Sequence, residues 1–257
     1  GAMSTTAGES RWILVAGGTK GIGLAIALRL ARPGAHIFLN YHADDGAARK
    51  ALDQVRERGV TPYLIKQDVG TVEGAAATIE QVASVTDRLD ILVHSSAVPN
   101  PGFLAEQPLA DALQAIHVGG LALLYLVQPA MKLLREGSSV IFLSGSSVDL
   151  VLPRHGALAS AKALGECMIR YLAIELAPRG INFNTLRSGP VDTDLLRSVR
   201  GSSGGEGPLA PATPTGRRLT LEEIAETAAF LVSPAGAMIR GQIITVDGGL
   251  STTVRAN

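Results

Sequence analysis

A glycine-rich turn between a predicted strand and a predicted helix constrains this chain more than any other stretch. The turn reads A-G-G-T-K-G-I-G over residues 16–23, after one short apolar run and before a longer one. In this context Gly17 allows a tight turn, Gly21 lets the backbone approach a pyrophosphate, and Gly23 lets the helix pack closely on the strand. The amide groups and the dipole at the helix start then face the phosphates. The stretch therefore predicts a dinucleotide-binding site.

The composition indicates a globular chain with enough apolar residues for a large core. Hydrophobic residues make up 46% of the 257 residues, which suffice for one large α/β domain or two small ones. The formal net charge is zero, so neither nucleic acid nor a membrane surface is expected as a partner. The only cysteine, Cys167, excludes an internal disulfide framework and favours a reduced, cytoplasmic setting. No uninterrupted apolar run reaches the ~18 residues of a membrane span, and we expect neither a signal peptide nor a metal site.

Short apolar runs alternate with helical stretches along the chain. Strands are predicted at residues 12–15, 35–40, 62–66, 89–94, 139–143, 181–186 and 242–246. Helices are predicted near residues 24–30, 47–58, 75–85, 109–135, 156–176 and 221–231. Buried strands that alternate with helices predict an α/β fold, a doubly wound, Rossmann-like parallel sheet with helices on both faces. Because the sequence shows no repeat and no internal linker, we expect residues 4–257 to form a single domain.

Residues 200–216 break this alternation. The segment is rich in glycine and serine and then in proline, a composition that cannot build a packed core. It lies between the sixth predicted strand and the helix at 221–231, where open α/β sheets place their ligands. We therefore predict a flexible substrate lid at about 195–216 that orders when a ligand binds. A loose surface loop is the alternative.

Motifs distributed from about residue 13 to residue 250 resemble the short-chain dehydrogenase/reductase family. The glycine turn at 16–23 matches T-G-x-x-x-G-x-G with alanine in place of threonine, and Asp68-Val69 matches the acidic pair that touches adenine in the family. Residues 188–193, S-G-P-V-D-T, match the loop that holds the nicotinamide end of the coenzyme. Within the family, R-Y-L-A at 170–173 and M-I-R-G-Q at 238–242 are similar to bacterial enoyl-acyl-carrier-protein reductases.

The glycine turn and the resemblance together imply a set of coenzyme-binding residues. The set comprises Gly17, Thr19, Lys20, Gly21, Ile22, Gly23, Tyr41, His42, Asp68, Val69, Ser95, Lys162, Gly189, Pro190, Val191 and Thr193. An NAD-selective site places an acid at the end of the second strand, and the tripeptide at 40–42, N-Y-H, contains none. Because Lys20 lies within the glycine turn, we expect NADP(H) to be preferred over NAD(H). Asp44 and Asp45 follow a few residues later and argue in the opposite direction.

The catalytic positions depart from the family pattern of Asn, Ser, Tyr and Lys. The lysine matches Lys162, and its family role of binding the nicotinamide ribose does not require the tyrosine. The tyrosine position, four residues before it, is Leu158, which can neither give nor take a proton. The serine position is Gly145, and the asparagine position is His117, for which a buried structural histidine is an equal alternative. H-S-S-A at 94–97 stands where the family has N-N-A-G.

Other side chains are candidates for the missing proton donor. His155 is seven residues before Lys162, the position of the enoyl reductases' tyrosine, and at about 100° per residue it returns to the same helix face. A histidine there can donate a proton, although a solvated residue at a helix start is the alternative. Arg154 is an alternative electrostatic partner for an oxyanion. Ser144 and Ser146 can each bind a substrate oxygen or merely end the strand. The chain's tyrosines do not lie where the family's acid would: Tyr41, Tyr63, Tyr125 and Tyr171.

Two functions are compatible with these features. The first is an NADP(H)-dependent oxidoreductase that reduces a carbonyl or an activated alkene, with a carrier-bound acyl chain among the small-molecule substrates considered. The second is a nucleotide-binding relative that catalyses a non-redox isomerisation, dehydration or cyclisation, or that serves as a catalytically silent partner. The long helices near 112–134 and 157–176 are apolar over more than half their circumference. Since the family pairs these helices across subunits, the resemblance implies a homodimer or homotetramer, with a thick single-subunit core as the alternative.

Overall fold

The computed structural model describes residues 10–201 and 212–253, with the side chains of 198–201 left out. The strands are β1 (Arg11–Ala16), β2 (Ala35–Tyr41), β3 (Thr61–Lys66), β4 (Leu89–His94), β5 (Leu134–Gly145), β6 (Asn182–Ser188) and β7 (Ile243–Val246). The α-helices are α1 (Gly21–Leu30), α2 (Asp45–Arg56), α3 (Val72–Ala83), α4 (Leu109–Ile116), α5 (Ala122–Ala130), α6 (Gly156–Glu175), α7 (Asp194–Gly201) and α8 (Leu221–Leu231).

The strands in these residues form one parallel sheet in the order β3-β2-β1-β4-β5-β6-β7. The order reverses between β1 and β4, so the chain winds to one side of β1 and then to the other. This topology confirms the predicted doubly wound α/β fold. The reversal leaves a crevice at the carboxyl ends of β1 and β4, the place at which such sheets bind ligands.

Two apolar layers, one on each face of the sheet, make up the core. Successive side chains of a strand point to opposite faces, so Leu14 enters one layer while Ile13 and Val15 enter the other. Helices α3, α5 and α6 cover the first layer, and α1, α2 and α8 cover the second. The continuous apolar runs read from the sequence therefore correspond to strands that are buried on both faces.

The helix predicted for residues 109–135 is interrupted and shorter than expected. A π-helical turn over His117–Leu121 separates α4 from α5, and the helix ends at Ala130. The turn contains Gly120, where an added Cβ would lie 2.6 Å from the carbonyl oxygen of Ala161. Close approach of α6 thus requires this glycine. Residues 134 and 135 already belong to β5.

The predicted lid is only partly within the described residues. Its first part forms helix α7, which the sequence analysis missed; the amide of Leu196 donates to the Thr193 hydroxyl at 3.2 Å and caps the first turn. Residues 202–211, the glycine-rich centre of the prediction, lie outside the described residues. The lid therefore stays a prediction.

One helical stretch is long and apolar enough to be considered as a membrane span. Leu109–Ala130, taken as one helix, meets the criterion of length and composition, and 39% of its most apolar window is buried in the protein. Core helices of globular proteins meet the same criterion, so the finding is weak support for a membrane.

Candidate active site

A cavity of about 520 Å³ opens where the strand order reverses, beside the start of α1. Most residues predicted to hold a coenzyme line it: Gly17, Thr19, Lys20, Gly21, Ile22, Tyr41, His42, Asp68, Val69, Ser95 and Thr193. Five predicted residues are not among those that line it: Gly23, Lys162, Gly189, Pro190 and Val191. The sequence analysis did not assign Asn40, Gln67 and Gln114, which also line the cavity.

The glycine turn forms the wall of the cavity through its backbone. Gly17 has a φ of 70°, and an added Cβ would lie 2.9 Å from the backbone nitrogen and Cα of Ser96. At Gly23 an added Cβ would lie 2.1 Å from the carbonyl oxygen of Gly17, so this glycine allows close packing of α1 on the turn. No side chain caps the first turn of α1, so its amide groups can bind an anion. This cradle fits the pyrophosphate of a dinucleotide coenzyme.

A charged pair stands at the end of β2, where a coenzyme's adenosine ribose would be recognised. Lys20 forms an ion pair with Asp44, and both residues line the cavity. Asp44 also accepts a hydrogen bond from the amide of Ala47 at 2.9 Å, which caps α2. That amide bond and Lys20 lower the pKa of Asp44. The neighbouring Asp45 is bound to Tyr41 and Lys66, at 2.8 and 2.9 Å, rather than turned into the cavity.

The predicted catalytic lysine is buried near the start of α6. Lys162 is 7% exposed, and its ammonium nitrogen lies 4.9 Å from the ring centre of Phe142. Burial lowers the pKa of Lys162 to about 7, although the negative charge of Glu166 opposes this effect. Leu158, one turn earlier at the family's tyrosine position, is also buried. No hydroxyl therefore stands at that position.

A buried network of charged and polar groups joins β5, β6 and α6 beside Lys162. Glu166 accepts two hydrogen bonds from Arg187, at 3.0 and 2.7 Å, and one from the Ser144 hydroxyl at 2.6 Å. Arg187 also pairs with Asp149. Burial lowers the pKa of Arg187, but the hydrogen bond and charge of Glu166, together with Asp149, outweigh it and raise the pKa above its ordinary value. The Ser144 proton is thus directed at Glu166.

The sequence analysis did not identify either partner of this ion pair, although the sequence around each residue offers a reason to expect a buried charge. Glu166 lies between Gly165 and Cys167 in the predicted helix at 156–176, four residues after Lys162. Arg187 is a single base near the end of a strand whose residues are all buried. An isolated charge in a buried element indicates a buried partner, because an unpaired buried charge is costly.

The remaining candidates lie outside the first cavity. His155 is partly exposed, and its Nδ1 donates to the carbonyl oxygen of Pro153 at 2.9 Å. Arg154 has a φ of 65° and places its guanidinium 5.8 Å from the ring centre of Phe103. Ser146 is buried in the short turn after β5. Their predicted catalytic roles stay predictions.

His117 lines a second cavity, of about 480 Å³, beside α4 and the π-helical turn. Its Nδ1 is 2.9 Å from the hydroxyl of Tyr125, and both residues line that cavity. Regular α-helical spacing would put the two side chains about 80° apart and two turns from each other. The π-helical turn between them changes this offset, and the sequence showed only a glycine pair at that place. A catalytic role for His117 stays a prediction.

Comparisons with known proteins agree with this geometry. A family model described as enoyl-(acyl carrier protein) reductase matches residues 16–251. The chain belongs to this family of short-chain dehydrogenases/reductases. It is 35% identical to 1-cyclohexenylcarbonyl-CoA reductase of Streptomyces collinus, over 96% of this chain and 89% of that one. A short-chain dehydrogenase of Burkholderia cenocepacia J2315 in complex with NADP is 27% identical, with a TM-score of 0.84, over 95% of this chain and 98% of that one.

A solved structure of a single-residue variant of actinorhodin polyketide ketoreductase with NADPH is 26% identical, with a TM-score of 0.85, over 95% of this chain and 98% of that one. The predicted family and the predicted class of function, a reductase of a carbonyl or an activated alkene, are confirmed. As a short-chain dehydrogenase/reductase the protein is an oxidoreductase that uses a nicotinamide coenzyme.

Proposed function

We propose that this short-chain dehydrogenase/reductase uses NADPH to reduce the carbon–carbon double bond of an α,β-unsaturated acyl thioester. The observation that carries the proposal is the loss of both family hydroxyls, since Leu158 and Gly145 occupy the tyrosine and serine positions. The matched family model and the relative that acts on a cyclohexenylcarbonyl thioester support the same substrate class.

The chemistry of the two substrate classes explains why the missing hydroxyls favour an alkene. Reduction of a ketone places the full negative charge on one alkoxide oxygen, so a nearby acid must protonate that atom. Reduction of a conjugated thioester spreads the charge over the α-carbon and the thioester oxygen, so a hydroxyl at one fixed point is less necessary. Leu158 is 8% exposed, so the tyrosine position offers an apolar side chain in place of a hydroxyl. An added Cβ on Gly145 would meet no atom within 4 Å, so the serine position offers open space in place of a hydroxyl.

The chain's own residues hold and orient the coenzyme in this proposal. The amides of the turn at 16–23 bind the pyrophosphate, Asp68 and Val69 flank the adenine, and Lys20 binds the 2′-phosphate. Lys162 binds the nicotinamide ribose and Gly189, Pro190 and Val191 lie at the nicotinamide, as in the family. When bound, the coenzyme supplies a hydride to the substrate.

A substrate panel tests the proposal directly. We expect the purified protein to oxidise NADPH with enoyl-CoA thioesters at a kcat/KM at least about 100-fold higher than with β-ketoacyl-CoA thioesters, because general acid catalysis at a ketone is worth roughly 10²–10⁴-fold. Equal rates with both substrates would contradict the assignment to alkenes. Tight NADPH binding without oxidation by either class would instead favour the non-redox alternative.

Coenzyme preference should depend on the pair Lys20 and Asp44. Replacing Lys20 with alanine is expected to weaken NADPH binding about 10-fold and leave NADH binding unchanged, because only NADPH carries the 2′-phosphate. Asp44→Asn keeps the cap on α2 but removes a negative charge beside that phosphate, so NADPH should bind several-fold tighter. Coenzyme fluorescence titration measures both constants. Lys132→Ala, which removes a surface ion pair with Glu80, is the control; a Lys20→Ala loss shared equally by NADH would contradict the proposal.

We also propose that the protein forms a cytoplasmic homodimer or homotetramer. Leu109, Leu113, Tyr171 and Ile174 are large apolar side chains exposed on helices α4 and α6, between 44% and 74%. Exposed apolar side chains on neighbouring helices are typical of a subunit interface. Sedimentation velocity tests this proposal, and a purely monomeric protein at micromolar concentration would contradict it.

A further inference from the structure

The coenzyme cavity has an apolar end, apart from the glycine turn and from the charged pair Lys20 and Asp44. The side chains of Val69, Ala97, Val98 and Val118 line this end. They come from the turn after β3, the loop after β4 and the π-helical turn, and β3 and β4 lie on either side of the pair β2 and β1. Since the pyrophosphate fits the turn after β1 and the ribose the end of β2, this apolar end is the space that remains for the flat base of the coenzyme.

Two polar side chains, Asp68 and Gln114, stand at the edge of this space. Both line the coenzyme cavity and the second cavity, so they lie on the boundary between the two. The turn that carries Asp68 packs directly on the helical segment after Gln114. An added Cβ on Gly70 would lie 2.5 Å from Cγ2 of Val118, which follows Gln114 by about one helical turn, and 3.0 Å from Oδ1 of Asp68.

Asp68 offers an acceptor that its own turn holds in place. Its Oδ1 accepts a hydrogen bond from the amide of Gly70 at 2.9 Å. Its Oδ2 lies 3.8 Å from Nδ1 of His42, which is beyond hydrogen-bond distance, and makes no hydrogen bond within residues 10–201 and 212–253. The side chain is 39% exposed, so a ligand in the cavity can reach this oxygen.

Gln114 offers a donor whose orientation is set by Asn100. The side-chain amide of Asn100 lies 2.9 Å from the carbonyl oxygen of Asp111, which can only accept, so the contacting atom is Nδ2. The same Nδ2 lies 2.9 Å from the side chain of Gln114, where the contacting atom must then be the acceptor Oε1. The Nε2 group of Gln114, with its two hydrogens, is therefore the end that remains for a ligand.

The backbone at Asn100 has an unusual conformation that places this side chain on α4. Its φ is 30°, a region in which asparagine is tolerated better than most residues. Prolines stand on both sides of it, in the sequence V-P-N-P-G at 98–102, and restrict the backbone further. A strained residue persists where the surrounding structure determines its conformation, and here the result is a fixed amide on Gln114.

We infer that Gln114 is a specificity-determining residue that recognises the adenine base of the coenzyme, and that Asn100 is the residue that positions it. Adenine presents its N6 amino donor beside the acceptor N1 on one edge. Asp68 accepts from N6, and Nε2 of Gln114 donates to N1. Hypoxanthine has a carbonyl oxygen and an N1–H group at the same two places, so it opposes an acceptor to Asp68 and a donor to Gln114. The inference does not depend on which substrate is reduced.

The first test compares NADPH with its hypoxanthine analogue, reduced nicotinamide hypoxanthine dinucleotide phosphate, by isothermal titration. The wild-type protein should bind NADPH at least about 10-fold tighter, because the analogue loses two hydrogen bonds. This ratio should fall to about threefold in Gln114→Leu, where Asp68 still discriminates, and to within about twofold in Gln114→Glu, where an acceptor replaces the donor. Gln128→Leu, at an exposed glutamine of α5 that is not among the residues lining either cavity, should keep the wild-type ratio. Equal wild-type affinities, or a ratio unchanged in Gln114→Leu, would overturn the role of Gln114.

The second test examines whether Asn100 acts through Gln114. Asn100→Asp tolerates the positive φ but offers only acceptors, so the amide of Gln114 must turn its Nε2 toward the new carboxylate and its Oε1 toward the base. The ratio of affinities should then fall to within about twofold. In the double variant with Gln114→Leu, Asn100→Asp should change the ratio no further. A change in the loop that is merely structural would weaken both coenzymes equally, and a wild-type ratio in Asn100→Asp would overturn the positioning role.

The third test detects the contact without the nicotinamide half of the coenzyme. The side-chain amide signal of Gln114 in ¹⁵N-labelled apoprotein, assigned by its absence in Gln114→Leu, should shift when adenosine 2′,5′-bisphosphate is added. An unshifted signal at saturating ligand would contradict the inference. Because neither this test nor the titrations involve turnover, a protein that binds NADPH without reducing enoyl thioesters would refute the proposed function and leave this inference standing.

Discussion

Replacing Gly17 with valine is expected to weaken NADPH binding by at least about 100-fold, because two or more charge-assisted hydrogen bonds to the pyrophosphate are lost. The native φ of 70° is one that a β-branched residue rarely adopts. The new Cβ would also lie 2.9 Å from the backbone of Ser96, which cannot move without displacing the end of β4. The turn must therefore shift, and its amides no longer converge on the phosphates. Coenzyme fluorescence titration measures the loss.

Two further glycine variants separate backbone strain from damage to the cradle. Gly59 has a φ of 75° and no atom within 4 Å of an added Cβ, so Gly59→Ala introduces the strain alone and should leave NADPH affinity unchanged. Gly21→Asn tolerates a φ of 51° and adds a side chain beside the coenzyme's pyrophosphate, so it should fold normally yet bind poorly. Retention of wild-type affinity in both Gly17→Val and Gly21→Asn would refute the position assigned to the phosphates.

The sequence predicts the sheet and the coenzyme half of the site because both depend on local patterns. A buried parallel strand is read as an apolar run, and a glycine turn after such a run is tied to the carboxyl end of its strand. The residues of the turn at 16–23, with Asp68 and Thr193, therefore line the cavity as the motifs imply, Gly23 excepted. Gly23 instead packs against the carbonyl of Gly17, which is the packing role that its position in the motif predicts.

The catalytic half could not be predicted in the same way, because its contacts join residues that are distant in sequence. The sequence is compatible with Ser144 as a substrate ligand or as the end of a strand, and it does not show that the Ser144 hydroxyl donates to Glu166, 22 residues later. The relation between His117 and Tyr125 depends on a π-helical turn, which spacing along a regular α-helix does not predict. Spacing along an ideal helix predicts which residues share a helix face. That prediction fails where the helical pitch changes, as in a π-helical turn.

Breaking the buried pair Glu166–Arg187 on one side is expected to destabilise the fold by about 3–5 kcal/mol, which corresponds to a decrease in Tm of about 6–20 °C for a chain of this size. Glu166 is 3% exposed and Arg187 8% exposed. Glu166→Gln leaves the guanidinium buried with a neutral partner, and water cannot replace the lost charge. The remaining ion pair of Arg187 with Asp149 compensates little for the lost charge, because Asp149 is largely exposed. Thermal and denaturant unfolding of the apoprotein measure the loss of stability.

A double variant shows whether the cost comes from the unpaired charge or from lost packing. Glu166→Leu combined with Arg187→Met replaces both charges by apolar groups, so it should recover most of the stability lost in Glu166→Gln. Asp53→Asn, which breaks the exposed pair with Arg56, should change the free energy of unfolding by less than about 1 kcal/mol and serves as the matched surface control. If the double variant is as unstable as Glu166→Gln, the network stabilises the junction of β5, β6 and α6 through shape rather than charge. If Glu166→Gln is as stable as wild type, the guanidinium has found another acceptor, and the buried pair does not contribute the predicted free energy.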